Sequence, residues 1–179
     1  MQGQNYSHSF VSGLRVRNHA TLSGCAYILG GAVTVDVGGT VLADCGGTQF
    51  FYSAVTNNGT IRAVNGSTVE AYGTLVNNGT IDVINGSLVL HGSFINKGTL
   101  LDASNVRISQ VAVSGGDVTV RVPSATGHTY QLQWAPSLTP PTTWISGSAQ
   151  PGSGGVLTFT DSGGTTNSER FYHVSVTVP

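Results

Sequence analysis

Residues 58–68 read Asn-Gly-Thr-Ile-Arg-Ala-Val-Asn-Gly-Ser-Thr, and residues 78–88 read Asn-Gly-Thr-Ile-Asp-Val-Ile-Asn-Gly-Ser-Leu, an offset of 20. Ile61 maps onto Ile81, Val64 onto Ile84, Gly66 onto Gly86 and Val69 onto Val89. A third copy begins one residue early at Asn96-Lys97-Gly98-Thr99-Leu100 and fades by Ile108. Each unit holds two or three short β-type segments, separated by Asn-Gly and Gly-Ser pairs that supply positive-φ turn residues. A unit this short cannot bury a core alone. Stacked coils can, with each strand pairing to its equivalent in the next coil. The expectation is an all-β chain whose main part is a short parallel β-solenoid. Paired strands lie about 4.8 Å apart, so like residues form columns. Ile61 over Ile81 is then a core column, and Asn58 over Asn78 and Asn65 over Asn85 are amide ladders at the turns. The competing reading is a run of antiparallel hairpins with Asn-Gly turns, which requires strands of alternating direction instead of whole units in register.

Upstream, Thr21-Leu22-Ser23-Gly24-Cys25 lies 20 residues before Val41-Leu42-Ala43-Asp44-Cys45. Stacked equivalents fall within the Cα separation that a disulfide spans. Cys25 and Cys45 are therefore expected to bridge adjacent coils, which implies an oxidising location; two buried thiols in one column are the alternative. Aligning Gly38-Gly39-Thr40-Val41 with Gly66-Ser67-Thr68-Val69 leaves an excess of about eight residues, placed as a loop bulging near Gln49-Phe50-Phe51-Tyr52. The repeat assigns 1–12 to an N-terminal arm and 13–110 to the solenoid. After Gly115-Gly116 the period is lost, and strands are expected over Asp117–Val122, Thr129–Trp134, Val156–Thr160 and Phe171–Val178. In the last of these Tyr172, Val174, Val176 and Val178 share one face. Prolines and glycines mark the loops between them, so 111–179 reads as a small antiparallel β-sandwich.

Composition narrows the function classes. Only 8% of the 179 residues are charged and the net charge is −1, which leaves no electrostatic footprint for nucleic acid. No apolar run approaches the length needed to cross a bilayer, so no membrane insertion is expected. The first residues, Met1-Gln2-Gly3-Gln4-Asn5, lack the basic start and hydrophobic stretch of an export signal, and the export route stays open.

The apolar-x-apolar segments with Asn-Gly-Ser and Asn-Asn-Gly-Thr-Ile resemble the coils of bacterial surface β-solenoids, the autotransporter passengers and filamentous-haemagglutinin-like adhesins. The tail carries Gly127-His128-Thr129-Tyr130-Gln131-Leu132-Gln133, Trp144, Leu157-Thr158-Phe159-Thr160-Asp161 and Arg170-Phe171-Tyr172-His173-Val174. It is similar to a fibronectin-type module at the C-terminus of secreted bacterial proteins. The resemblance implies an exported, surface-associated protein.

Chemistry-bearing residues are sparse. Solenoid polysaccharide lyases and hydrolases need acids converging on one groove. Here Asp82 falls over Arg62, and Asp36 and Asp44 fall on different faces, so solvated outward positions are expected and catalysis is not. The five histidines are scattered, and Ser7-His8-Ser9 sits in the polar arm without an oxyanion motif. No metal or cofactor is expected. Five Asn-x-Ser/Thr triplets, at Asn5, Asn58, Asn65, Asn78 and Asn85, arise mostly from the turn repeat. Tyr130, Trp134 and Trp144 are the candidate carbohydrate platform, although a small sandwich needs large side chains as core. Phe50, Phe51 and Tyr52 cannot all face one core, so at least one is expected to be exposed or to meet a partner, and the three are the candidate subunit contact. The resulting expectation is a non-enzymatic structural protein, extracellular or at the cell surface, that partners itself head-to-tail in a filament or coat. The alternatives are an adhesin or glycan-binding module and, last, a polysaccharide-degrading enzyme.

Overall fold

The computed structural model describes residues 6–166 and 169–177. The chain divides into two compact units, Met1–Ala103 and Ser104–Pro179.

The first unit is a parallel β-solenoid of five coils, three strands to a coil. Coil one holds β1 (Tyr6–Phe10), β2 (Leu14–Val16) and β3 (Thr21–Ser23). Coil two holds β4 (Ala26–Gly30), β5 (Val33–Val35) and β6 (Thr40–Ala43). Coil three holds β7 (Thr48–Phe51), β8 (Val55–Asn57) and β9 (Thr60–Ala63). Coil four holds β10 (Thr68–Ala71), β11 (Leu75–Asn77) and β12 (Thr80–Asp82). Coil five holds β13 (Ser87–Leu90), β14 (Phe94–Asn96) and β15 (Thr99–Leu101). Equivalent strands pair in parallel, giving sheet one (β1-β4-β7-β10-β13), sheet two (β2-β5-β8-β11-β14) and sheet three (β3-β6-β9-β12-β15).

Alternation within each short strand points every second residue inward, and the stacking turns those residues into columns. Ile61 stands over Ile81 in sheet three, continuing from Val41 to Leu100. Val33, Val55, Leu75 and Phe94 form the column of sheet two. Ile28, Phe51, Ala71 and Leu90 form one in sheet one, where the small Ala71 follows the large Phe51. The members in coils two to four of these columns are at most 1% exposed. Each such aliphatic side chain contributes about 1.5–3 kcal/mol by leaving water.

A polar column runs through the same core. Asn57 and Asn77 are fully buried. Asn57 Nδ2 donates to Asn77 Oδ1 at 2.7 Å, and Asn77 Nδ2 donates to Asn96 Oδ1 at 2.8 Å. Each also donates to a backbone carbonyl around the corner in the next coil, Asn57 to Thr80 and Asn77 to Thr99. Outside it, Asn78 Nδ2 donates to Asn58 Oδ1 at 2.9 Å, the expected turn ladder. The turns at Asn65 and Asn85 are joined by a backbone bond, Gly66 N–H to the Asn85 carbonyl.

The turn glycines divide into two kinds. Asn65 and Gly66 have positive φ, 55° and 72°. Gly59, Gly79 and Gly98 do not; a Cβ on Gly79 would run into the carbonyl oxygen of Gly59, and one on Gly98 into that of Gly79. Their glycine is required by the close approach of successive coils, not by a left-handed turn.

Two expectations are corrected. Gln49-Phe50-Phe51-Tyr52 does not bulge: Thr48–Phe51 is β7, with Gln49 2% and Phe51 0% exposed. The extra length sits in the corner Asp44–Gly47, where coil one has only Gly24 and Cys25. Tyr27 therefore pairs with Phe50, an offset of 23, while Val41 pairs with Ile61 at 20. The eight-residue excess came from superposing corners of different kinds. In addition, Tyr6–Phe10, read as part of an arm, is β1 and pairs in parallel with β4.

The second unit holds β16 (Gln110–Ser114), β17 (Asp117–Pro123), β18 (Thr129–Ala135), β19 (Ile145–Pro151), β20 (Val156–Asp161) and β21 (Phe171–Thr177). They form two three-stranded antiparallel sheets, β16-β17-β20 and β19-β18-β21. Val118, Val120, Val122, Leu157 and Phe159 of one sheet share a core with Tyr130 and Leu132 of the other, and Tyr172, Val174 and Val176 pack against it. Val178, placed on that face by the sequence, lies outside the described residues.

Candidate functional site

The outward face of sheet one collects Tyr27, Phe50, Tyr52 and Tyr72. Alternate residues of its strands put Tyr27, Phe50, Glu70 and Val89 in one outward column. Tyr52, Tyr72 and His91, each just past a strand end, make the next, held by backbone bonds from Tyr72 N–H to the Phe51 carbonyl and from His91 N–H to the Ala71 carbonyl. The backbone spacing then fixes the ring spacing. Tyr27 stacks on Phe50 at 4.5 Å, Tyr52 on Tyr72 at 4.7 Å with planes 1° apart, and Tyr72 on His91 at 4.3 Å. Phe50 and Tyr52 lie side by side at 6.3 Å. Such pairs contribute about 0.5–1.5 kcal/mol beyond burial.

Glu70 anchors this ladder. Its Oε1 accepts the Tyr72 hydroxyl proton at 2.8 Å and lies 2.7 Å from His91 Nε2. Hydrogen bonds from His91 and then Tyr72 hold the Glu70 carboxyl below its ordinary range, and the Glu70 bond raises the Tyr72 phenol above its own. Tyr52 and Tyr72 are 42% and 40% exposed, so the ladder is open to solvent. Tyr72 carries a stacked ring on each side, Tyr52 and His91, and so offers no open face to a pyranose.

The aromatics singled out in the sequence separate. Phe51 is core; Phe50 and Tyr52 belong to the outward ladder. Tyr130 is 1% exposed, with its hydroxyl accepting the Ala125 N–H at 2.9 Å, so it offers no platform. Trp134 carries the Arg170 guanidinium over its ring at 5.6 Å, and Trp144 packs on His173 at 4.0 Å. The tail motifs meet at Asp161, which is 6% exposed. Its Oδ2 accepts from Arg170 Nη1 and, at 2.8 Å, from the Tyr172 hydroxyl. Burial and then this bond push the Tyr172 phenol up to about 12.

Cys25 and Cys45 are bonded, with their Cα atoms 6.0 Å apart, and join the short corner of coil one to the longer corner of coil two. Arg15 Nε donates to Asp36 at 2.8 Å, and Arg62 Nε to Asp82 at 3.1 Å. Asp82, read as a solvated outward position, is 5% exposed, and the Ile84 N–H also donates to it. Ser7-His8-Ser9 lies in β1 and not in an irregular arm. Among the described residues no three His, Cys, Asp or Glu side chains gather as metal ligands, and no helix is long and apolar enough to cross a membrane.

The Glu70–Tyr72–His91 cluster escaped the sequence reading, yet Tyr52 and Tyr72 stand one period apart, as Ile61 and Ile81 do. The buried Asn57–Asn77 pair shows the same period in the sequence, directly beside Asn58 and Asn78. No protein-family model, curated protein or solved structure matches this chain. The class defined by fold is therefore the parallel β-solenoid, joined to a small antiparallel unit.

Proposed function

We propose that this chain is an extracellular structural protein whose solenoids join head-to-tail into a homopolymer. The observation that carries the reading is the state of the two end coils. Among the described residues, β1, β2 and β3 at one end and β13, β14 and β15 at the other each have a neighbour on one side only. Such edges are templates for further pairing, and a contact between unlike ends propagates without closing.

The columns support continuation. Phe94 and Leu100 end two of them and Leu14 and Leu22 begin them, apolar against apolar. The asparagine column ends at exposed Asn96. Asn57 in coil three and Asn77 in coil four each donate Nδ2 to the carbonyl of a sheet-three threonine in the next coil, while coils one and two carry Val16 and Val35 at that position. In a following copy the equivalent threonine is Thr21. The low charge leaves little repulsion to oppose the contact, and the disulfide fits an oxidising compartment.

Sedimentation velocity and negative-stain microscopy over a concentration series test the proposal. The expected result is rods that lengthen with concentration and shorten in an Asn96→Lys variant. Monomers at every concentration would overturn it.

A further inference from the structure

We propose that Tyr52 and Tyr72 form a site of oxidative cross-linking, closing to a dityrosine that staples coil three to coil four when the protein meets a haem peroxidase and hydrogen peroxide. The proposal is independent of polymerisation, since both rings belong to one chain. Coupling needs two phenols in contact, both open to an oxidant, and at least one able to lose its proton as the electron leaves.

Tyr52 and Tyr72 stack at 4.7 Å with planes 1° apart, and both are about two-fifths exposed. The Tyr72 hydroxyl already donates to the Glu70 carboxylate at 2.8 Å. A phenol bonded to a base oxidises with its proton moving along that bond, which avoids the high-energy phenol cation. Tyr27, Tyr130 and Tyr172 each lack part of this set. Tyr27 lies 6.2 Å from Tyr52 and tilted by 33°. Tyr130 is buried. Tyr172 has a carboxylate partner in Asp161 but packs against the buried core of the second unit.

The peroxidase takes one electron from each phenol. The Tyr72 proton passes to Glu70 Oε1 and on to water, and the Tyr52 proton goes to water directly. The two phenoxyl radicals join by a carbon–carbon bond between ring positions ortho to the oxygens. The hydrogens at those carbons shift to the oxygens as the rings regain aromaticity. Two electrons and two protons leave in all, and they reduce one hydrogen peroxide to two waters.

The test treats the whole protein with haem peroxidase and peroxide, reads dityrosine fluorescence, and maps the link after tryptic digestion. Cleavage at Arg62 separates the two rings, so the expected product is a branched peptide joining residues 18–62 to 63–97 through Tyr52 and Tyr72. Performed on a mixture of isotopically heavy and light chains, the link must stay heavy–heavy or light–light. Tyr72→Phe is expected to abolish it, Glu70→Gln to slow its initial rate severalfold, and Tyr172→Phe to leave it unchanged. Each variant is first matched to the parent by circular dichroism. A link that mixes heavy and light chains, that joins Tyr27 to Tyr52 instead, or that survives in Tyr72→Phe would overturn the assignment.

Discussion

Asn77 shows how one side chain can be fixed by the repeat. Its Oδ1 accepts from Asn57 below, and its Nδ2 serves both Asn96 and the Thr99 carbonyl above. The residue is fully buried, so each of these groups loses water and regains a partner only through the column. Asn77→Ala leaves one buried Asn57 Nδ2 hydrogen without its acceptor, the bond to the Thr80 carbonyl remaining, and removes the donor to the Thr99 carbonyl. At about 1–3 kcal/mol for a buried group left unsatisfied, the variant is expected to lose roughly that amount by urea unfolding; an unchanged midpoint would contradict the role given to the ladder. At Tyr172 the readout is pH. Its phenol is raised from 10.0 to about 12 by burial and by the bond to Asp161. The neutral form is thus favoured in the folded state. This contribution is intact below pH 10 and is lost as pH rises through the folded value. An absorbance titration of phenolate formation is expected to show late-titrating tyrosines, one of which disappears in Tyr172→Phe.

At the scale of the strand and the corner, the Cys25–Cys45 bridge ties coil one to coil two where the register changes from 19 to 23. The bridged residues are 20 apart, and closing a loop of that size removes freedom from the unfolded chain worth about 2–4 kcal/mol. Cys25→Ser with Cys45→Ser is expected to lower stability by that amount, with hydrogen exchange rising first in β1–β3; uniform change across all five coils would argue against local tethering. The same corner shows where sequence legibility stopped. The period was visible because it repeats residue types at equivalent places, which carried the solenoid, the Ile61–Ile81 column and the cysteine pairing. The corner Asp44–Gly47 obeys no period, so its extra residues were assigned to Phe50 and its neighbours. The short alternating pattern Thr48-Gln49-Phe50-Phe51 was hard to recognise as a strand because buried Gln49 is polar. Its amide is satisfied by the Ala26 and Phe50 carbonyls, a pairing that no local pattern announces.

For the molecule as a whole, stability in a stack is a sum of coil and neighbour terms, and most of the terms here are uncharged. The Arg15–Asp36, Arg62–Asp82 and Glu70–His91 pairs lie on or near the surface of the solenoid, while hydroxyl, amide and aliphatic columns fill the rest. The candidate site was legible only in outline. Aromatic residues at a 20-residue offset must stack once the strands do, but the carboxylate joining Tyr72 to His91 depends on the offset of 19 between Ala71 and Leu90, which the fading third repeat obscured.

Asn57-Asn58-Gly59-Thr60-Ile61 and Asn77-Asn78-Gly79-Thr80-Ile81 are identical and occupy the same place in their coils. At the level of the gene, misaligned recombination between these two stretches would insert or delete one complete winding while keeping every inward residue inward. Descendants of this chain can therefore change length in steps of about 4.8 Å without inventing a new fold.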